Sequence, residues 1–460
     1  MSEFSKTDDQ SMTNDVPEFD ANLGAADSPA LDLDMDNLPT TPKAPANAKE
    51  SAHLGERSFA TRCVATTPFD PTGAVVPAIY LASTYAHPIP GACPPPAPMP
   101  CGTNEEGGHS YQRWSNPTRA AVEIAVASLE DAKHAYAFAT GMAAISAVFS
   151  TVKAGQRVLL CSSIYGGTFQ YISNFFPARD IKYDLIDDVN ALRAEDVPAD
   201  TAMIYIESPT NPRLRVVDIA HAAEVAHQVG AKLAIDNTFQ TAYLQRPFEL
   251  GADYVIYSAT KYLAGHGDVL AGLVLANDEE LAEQVRLAQV ALGAPLSPFD
   301  SYSVLRGLKT LVVRMDRQLE NAERIREFLL AHPSVTAVHY PGSENAKEAE
   351  IQAKQSQGAG SVLSFEIADD IHLPTFVAAL DIIGYAVSLG GVETLLCHPA
   401  SMTHATMNDQ ELAAAGISQR LLRLAVGIED ASDLLAELQR AFQVSKGAAE
   451  RCLDNSNSES

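Results

Sequence analysis

Tyr254-Val-Ile-Tyr257-Ser-Ala-Thr-Lys261-Tyr-Leu-Ala-Gly-His-Gly-Asp268 reads as a short buried strand that runs directly into hydroxyls and a lysine. An unbroken run of apolar and aromatic residues, rather than an alternating one, is what a strand covered on both faces carries. Similar runs stand at 157–161, 181–186, 202–206, 233–235 and 269–275, with helical spacing over 219–229 and 278–292. Alternating strand and helix predicts an α/β fold, a mostly parallel central sheet with helices on both faces. Past residue 312 the rhythm changes to longer helices (314–332, 373–380, 430–442) mixed with strands such as 362–367, which predicts a smaller α+β C-terminal domain. In the last helix Leu434, Leu435, Leu438 and Phe442 fall on one face, after an acidic start that suits the helix dipole.

Composition bounds the rest. The 460 residues carry 32 Lys+Arg against 58 Asp+Glu, a net charge of −26, which argues against a nucleic-acid or anionic-membrane grip through bulk charge. Residues 1–56 read as a disordered acidic tail: positions 1–50 hold eleven acids against three lysines. The stretch 88–108, with its Pro-Pro-Pro run, reads as an inserted loop, and 447–460 as a frayed tail. Six cysteines without a Cys-x-x-Cys pair suggest thiols in a reducing compartment, with Cys93 and Cys101 the one pair close enough for a loop bridge. The N-terminus lacks the basic start and apolar stretch of a secretory signal, so cytoplasmic location is expected. The uncharged run 135–152 is Ala-rich and carries Thr140, Gly141, Ser146, Ser150 and Thr151, so a buried soluble helix is expected rather than a membrane span. Twelve histidines show no metal-ligand spacing, Gly265-x-Gly267 is not completed into a dinucleotide fingerprint, and no P-loop ending is present.

Ligands in open α/β sheets collect where strands end, so the residues just past each strand carry the chemistry. Ile164-Tyr165-Gly-Gly-Thr168, Glu207-Ser-Pro-Thr-Asn211-Pro, Asp236-Asn-Thr238 and Ser258-Ala-Thr260-Lys261 are four such loaded edges. Lys261 alone would be an ordinary lysine at a solvated turn.

Together with Tyr111-Gln-Arg113-x-x-Asn-Pro-Thr118, Thr140-Gly141-Met142, Ser388-Leu-Gly-Gly-x-Glu393-Thr and Arg423-Leu-x-Val-Gly-Ile-Glu429, in that order over about residues 57–446, these blocks resemble the Cys/Met metabolism (transsulfuration) enzymes that use pyridoxal phosphate. The resemblance implies a fold-type-I pyridoxal-phosphate architecture. It implies a large coenzyme-binding domain over 116–312, a small domain over 313–446, and an arm over 57–115 that contacts a neighbouring subunit. Lys261 would be the amine that joins the coenzyme's aldehyde and later moves protons. Asp236 would keep the pyridine nitrogen protonated, and Asn211 would partner the ring hydroxyl. Gly141 and Met142 at a helix start, with Ser258 and Thr260, would cradle the phosphate. Tyr165 would stack on the ring near the leaving group, Arg423 would grip the substrate carboxylate with Ser388 as helper, and Tyr111 and Arg113 would reach in from the neighbouring subunit. Homodimers pairing into tetramers are expected on the same ground.

Within the family, Tyr243-Leu-Gln-Arg-Pro247, Gly265-His-Gly-Asp268 and His398-Pro-Ala-Ser-Met-Thr-His404 look like methionine γ-lyase. Cystathionine-handling members usually have an arginine where this chain has Gln170, and cystathionine γ-lyases a glutamate where it has Cys397. Methionine γ-lyases commonly have a cysteine at the position of Gly167. Tyr257 replaces a frequent histidine and Thr140 a frequent serine. The expected activity is γ-elimination on methionine- or homocysteine-type amino acids, giving 2-oxobutanoate, ammonia and a thiol. Cystathionine γ-synthase or γ-lyase activity comes next, and O-acyl-homoserine sulfhydrylation after it. A scaffold without catalysis would require loss of Lys261 or its supports, and Lys261, Asp236 and Arg423 are all present.

Overall fold

The computed structural model describes residues 57–65, 74–87, 108–405 and 407–458. The acidic tail 1–56 and the insert 88–107 with Cys93 and Cys101 lie outside the described residues. Cys63, Cys161 and Cys397 are free and buried.

Seven strands form the first sheet: β1 (His134–Phe138), β2 (Arg157–Cys161), β3 (Lys182–Ile186), β4 (Thr201–Glu207), β5 (Lys232–Asp236), β6 (Tyr254–Tyr257) and β7 (Gly272–Ala276). They lie in the order β1-β7-β6-β5-β4-β2-β3. The run from β6 through β5, β4 and β2 to β3 is parallel, while β7 is antiparallel to both of its neighbours. The expected mostly parallel sheet is therefore present. Its central strands have apolar interiors because helices exclude water from both faces; every residue of β6 and β7 is buried.

One expectation is corrected. The run 135–152 is not a single helix but β1, a turn, and the helix Gly141–Phe149. An Ala-rich apolar run does not reveal its period, so strand and helix look alike in it. The break is at Thr140, extended at φ −153°, whose hydroxyl accepts from the Ala143 N–H at 3.0 Å and so starts the helix. Upstream of that cap the chain is drawn into the sheet by β7, with His134 opposite Ala276.

The second lobe is built on β8 (Val335–His339), β9 (Val362–Ile367), β10 (Gly384–Tyr385), β11 (Leu395–Cys397) and β12 (Leu421–Ala425), ordered β10-β11-β12-β9-β8. The helix Ala431–Ser458 packs on it through Leu434, Leu438 and Phe442, and continues past 447, where a frayed tail is expected from the sequence. The helix Leu311–Ala331 joins the two lobes: Leu311 and Met315 belong to the first core, Ala322, Ile325 and Leu329 to the second. The expected boundary near residue 312 falls inside the first turn of this helix.

Candidate active site

In a parallel sheet, neighbouring strands end at one edge, and here the register makes that edge polar. Glu207 closes β4 opposite Asp236, which closes β5, and β6 beside it leads into Ser258 and Lys261. Side-chain hydrogen bonds lock these ends together. Asp236 Oδ1 accepts from the Thr238 N–H at 2.9 Å, and Thr238 Oγ1 accepts from the Ser258 N–H at 2.8 Å. The lysine turn closes on itself, with the Lys261 N–H donating to Ser258 O at 3.1 Å and the Gly265 N–H to Lys261 O at 2.7 Å. Gly265 takes φ +74°, a conformation suited to glycine.

These ends line a cavity of about 460 Å³. Of the residues singled out from the sequence, Gly141, Met142, Tyr165, Asn211, Asp236, Ser258, Thr260, Lys261, Ser388 and Arg423 all face it. Tyr111 and Arg113 are not among its lining residues. Arg113 donates to Val290 O at 3.0 Å, its guanidinium 5.7 Å from the centre of the Tyr111 ring, and Tyr111 is 45% exposed. Thr260 is already engaged, accepting from the Ala271 N–H at 2.9 Å and donating to Ala271 O at 3.2 Å.

The small lobe contributes the other wall. Arg423, in the middle of β12 and 3% exposed, donates to Asn211 Oδ1 and to Ser388 O, each at 2.9 Å. Both acceptors are uncharged, and Arg423 Nε has no partner among the described residues. A buried guanidinium held this way is short of an anion. Ser388 is itself strained, at φ +101°, and its hydroxyl accepts from Lys261 Nζ at 3.1 Å. One residue thus touches both the amine and the guanidinium.

Burial, then the nearby Arg423 charge, lower the Lys261 pKa to about 8, against the opposing pull of Asp236. Burial raises Asp236, opposed by hydrogen bonds from Thr238 and by Lys261. Glu207 is pushed well above the usual carboxylate range by burial and then by Asp236, while one oxygen accepts from the Tyr165 N–H at 2.8 Å. Two carboxyls on adjacent strand ends therefore favour one negative charge over two. Sequence reasoning saw Glu207 at a strand end but assigned it no role; its proximity to Asp236 depends on the β4–β5 register. Thr403, also in the cavity wall, gives no signal beyond its place in the 398–404 block.

The residues present fit pyridoxal phosphate. Lys261 is an amine made less basic by its surroundings, and Asp236 is a carboxylate at the cavity floor. Asn211, its oxygen engaged by Arg423, keeps its amide N–H groups for an oxygen of the ring. A helix begins at Gly141, where a Cβ would stand only 3.0 Å from Ser258 Cβ and Oγ, so the absence of a side chain leaves backbone N–H groups open to a phosphate.

Comparison with known proteins gives the same direction. Residues 60–443 match the family model of Cys/Met metabolism PLP-dependent enzymes. The chain is 42% identical over 397 residues to L-methionine gamma-lyase of Pseudomonas putida, an alignment covering 84% of this chain and 98% of that protein. It is 40% identical over 373 residues to cystathionine gamma-lyase of Bacillus subtilis, covering 81% and 95%. Among solved structures, cystathionine gamma-lyase from Lactobacillus plantarum complexed with L-serine superposes with a TM-score of 0.79 at 38% identity, covering 85% of this chain and 100% of that one.

Proposed function

Because this chain belongs to the Cys/Met metabolism family of PLP-dependent enzymes, we propose that it is a carbon–sulfur lyase acting by γ-elimination on methionine- or homocysteine-type amino acids. Water is consumed, and 2-oxobutanoate, ammonia and a thiol are released. The observation that carries this reading is the charge inventory of the cavity. Among the described residues of one chain, its charged lining residues are Glu207, Asp236, Lys261 and Arg423, and each is accounted for at the floor or at the substrate carboxylate. The remaining wall, with Gln170, Leu270, Val387, Met402 and Thr403, offers this chain's own ion pair to no second amino-acid head group. A short thioether or thiol suits such a wall; a long zwitterionic substrate would leave its far charges unmatched.

The bound coenzyme supplies an electron sink that makes an α-proton removable. Lys261, whose free amine is made less basic by burial and Arg423, would accept that proton and return it to a neighbouring carbon, beside the Ser388 hydroxyl. Arg423 binds the substrate carboxylate in the fork geometry that lysine lacks, which answers its unpartnered Nε. Asp236 would hold the ring nitrogen through a charge-assisted hydrogen bond when the coenzyme is bound. Tyr165, 44% exposed at the cavity, places a phenol where the departing sulfur needs a proton.

Tyr111 and Arg113, outside the cavity of their own chain, are assigned to the site of a neighbouring subunit, in a homodimer that pairs into a tetramer. Cytoplasmic location completes the reading; among the described residues no helix is long and apolar enough to cross a membrane. Cystathionine cleavage is the second reading, favoured by the similarity to cystathionine gamma-lyase and to Lactococcus lactis cystathionine beta-lyase, at 40% and 42% identity.

Keto-acid release from methionine, homocysteine and cystathionine, assayed separately on the purified holoenzyme, tests the choice. The short substrates should give the higher kcat/KM, and Gln170→Arg should move the preference toward cystathionine. A wild-type preference for cystathionine would replace the first reading with the second.

A further inference from the structure

The helix that joins the lobes carries a buried polar face. Arg314, Gln318 and Asn321 are 3%, 0% and 1% exposed, and spacings of four and three put them on one side of the helix. Apolar residues would serve a core helix as well, so three buried polar side chains call for a reason. Arg314 Nε donates to Thr310 Oγ1 at 3.1 Å and one further donor reaches Gly307 O; the other donors reach backbone carbonyls in segments that carry the site. Arg314 donates to Tyr262 O and Gly307 O, each at 2.8 Å. Gln318 donates to Gly391 O at 2.6 Å. Asn321 donates to Gly427 O at 3.1 Å and Glu429 O at 2.8 Å. Tyr262 follows Lys261, Gly391 lies just past Ser388, and Gly427 and Glu429 follow the strand that bears Arg423. The acceptors Gln318 Oε1 and Asn321 Oδ1 have no partner among the described residues, so what these amides contribute is their donors.

We infer that Arg314, Gln318 and Asn321 are positioning residues, one polar stripe that sets the spacing between the Lys261 amine, the Ser388 turn and the Arg423 guanidinium. Each of these segments resists its placement. Lys261 and Arg423 bring two cations into one cavity, and the Ser388 turn holds a strained backbone. The turn packs so closely on the lysine segment that a Cβ on Gly390 would stand 2.7 Å from Tyr262 N. A helix anchored in both cores can hold all three from behind, because its own residues move little relative to one another. The inference rests on the reading of Lys261, Ser388 and Arg423 given above, and is independent of which sulfur amino acid is the substrate.

The test uses full-length Gln318→Met and Asn321→Leu proteins. In the coenzyme-free form, Lys261 is labelled with an amine-reactive anhydride across pH and the modified peptide is quantified by mass spectrometry. The wild-type midpoint should lie near the Lys261 pKa of about 8. In the variants it should move toward that of an ordinary lysine, because burial and the Arg423 charge, which hold it down, both recede. The loaded variants should lose about tenfold in kcat/KM, the effect of removing one buried hydrogen bond. Gln318→Glu keeps the shape but can donate only when protonated, so its activity relative to wild type should recover toward acid pH. If Gln318→Met does not fold, Gln318→Glu carries the comparison alone. Variants that melt at lower temperature yet keep the wild-type Lys261 midpoint and kcat/KM would overturn the inference and leave the stripe as core structure. A shifted midpoint in a protein that turns over no sulfur amino acid would support the stripe and defeat the proposed lyase activity.

Discussion

The two walls of the cavity are built by different means. On the large-lobe side, Asp236, Glu207, Asn211 and Lys261 stand at or just past the ends of neighbouring parallel strands, so the sheet itself delivers them to one edge. On the small-lobe side, Ser388 comes from a strained turn and Arg423 from the middle of a strand in a second sheet. Their side chains meet the first wall through the 2.9 Å contact to Asn211 and the 3.1 Å contact to Lys261. The difference separates two tasks. A coenzyme that stays bound can be held by one lobe's strand ends, whereas a substrate carboxylate that comes and goes is met by the other lobe.

The sharpest way to break this division is Lys261→Ala. It should remove the visible absorbance of the bound coenzyme and lower activity by at least about a thousandfold, the scale on which a combined nucleophile and proton carrier acts. A variant that remains coloured and active would end the assignment of the large-lobe wall. Arg423→Met comes next: coenzyme absorbance should persist while kcat/KM falls about a hundredfold, mainly through KM, as expected for a lost charge-assisted pair. Loss of coenzyme together with substrate binding would show that the two walls do not divide the work.

Ser388→Gly probes the strained turn. Glycine adopts the positive φ without steric cost, so the protein should gain about 1 kcal/mol in thermal or denaturant unfolding while losing activity several-fold. Gain without loss would make the hydroxyl dispensable.

The finest test is pH dependence across the two walls. The neutral Lys261 amine, the reactive form, grows as pH rises through about 8, so labelling in the coenzyme-free protein should rise over that window. Arg423→Met removes a charge that lowers the lysine pKa, so the midpoint should rise. Asp236→Asn removes a charge that raises it, so the midpoint should fall. Opposite shifts would confirm that both walls act on one amine, and shifts of the same sign would contradict it.

How far each residue could be found in the chain follows from how it is held. Lys261 and Asp236 are legible because each terminates or closely follows a buried apolar run, and parallel strands bring such ends together whatever their loops do. Arg423 and Ser388 are legible through ordered motif blocks, though nothing in those blocks says that Ser388 is strained or that it accepts from two cations at once. Glu207 is visible at a strand end, but its raised pKa comes from burial in the fold and then from the register that sets it across from Asp236. The β1 strand is hidden in an Ala-rich run without a period, and the single cue to its end is Thr140.

The polar stripe is the clearest instance of what linear reading misses. Arg, Gln and Asn at helical spacing look like a solvated face, and only two lobes closing around that helix turn it inward. Strand and helix content, the order of the strand-end chemistry and the family are therefore properties of the chain, since they arise from patterns a few residues long. The separation of Lys261 from Ser388 and Arg423, the sharing of charge between carboxyls and the burial of the stripe belong to the folded whole, because they depend on groups more than a hundred residues apart in sequence, on the register of two strands, or on surfaces that do not exist until both cores have packed.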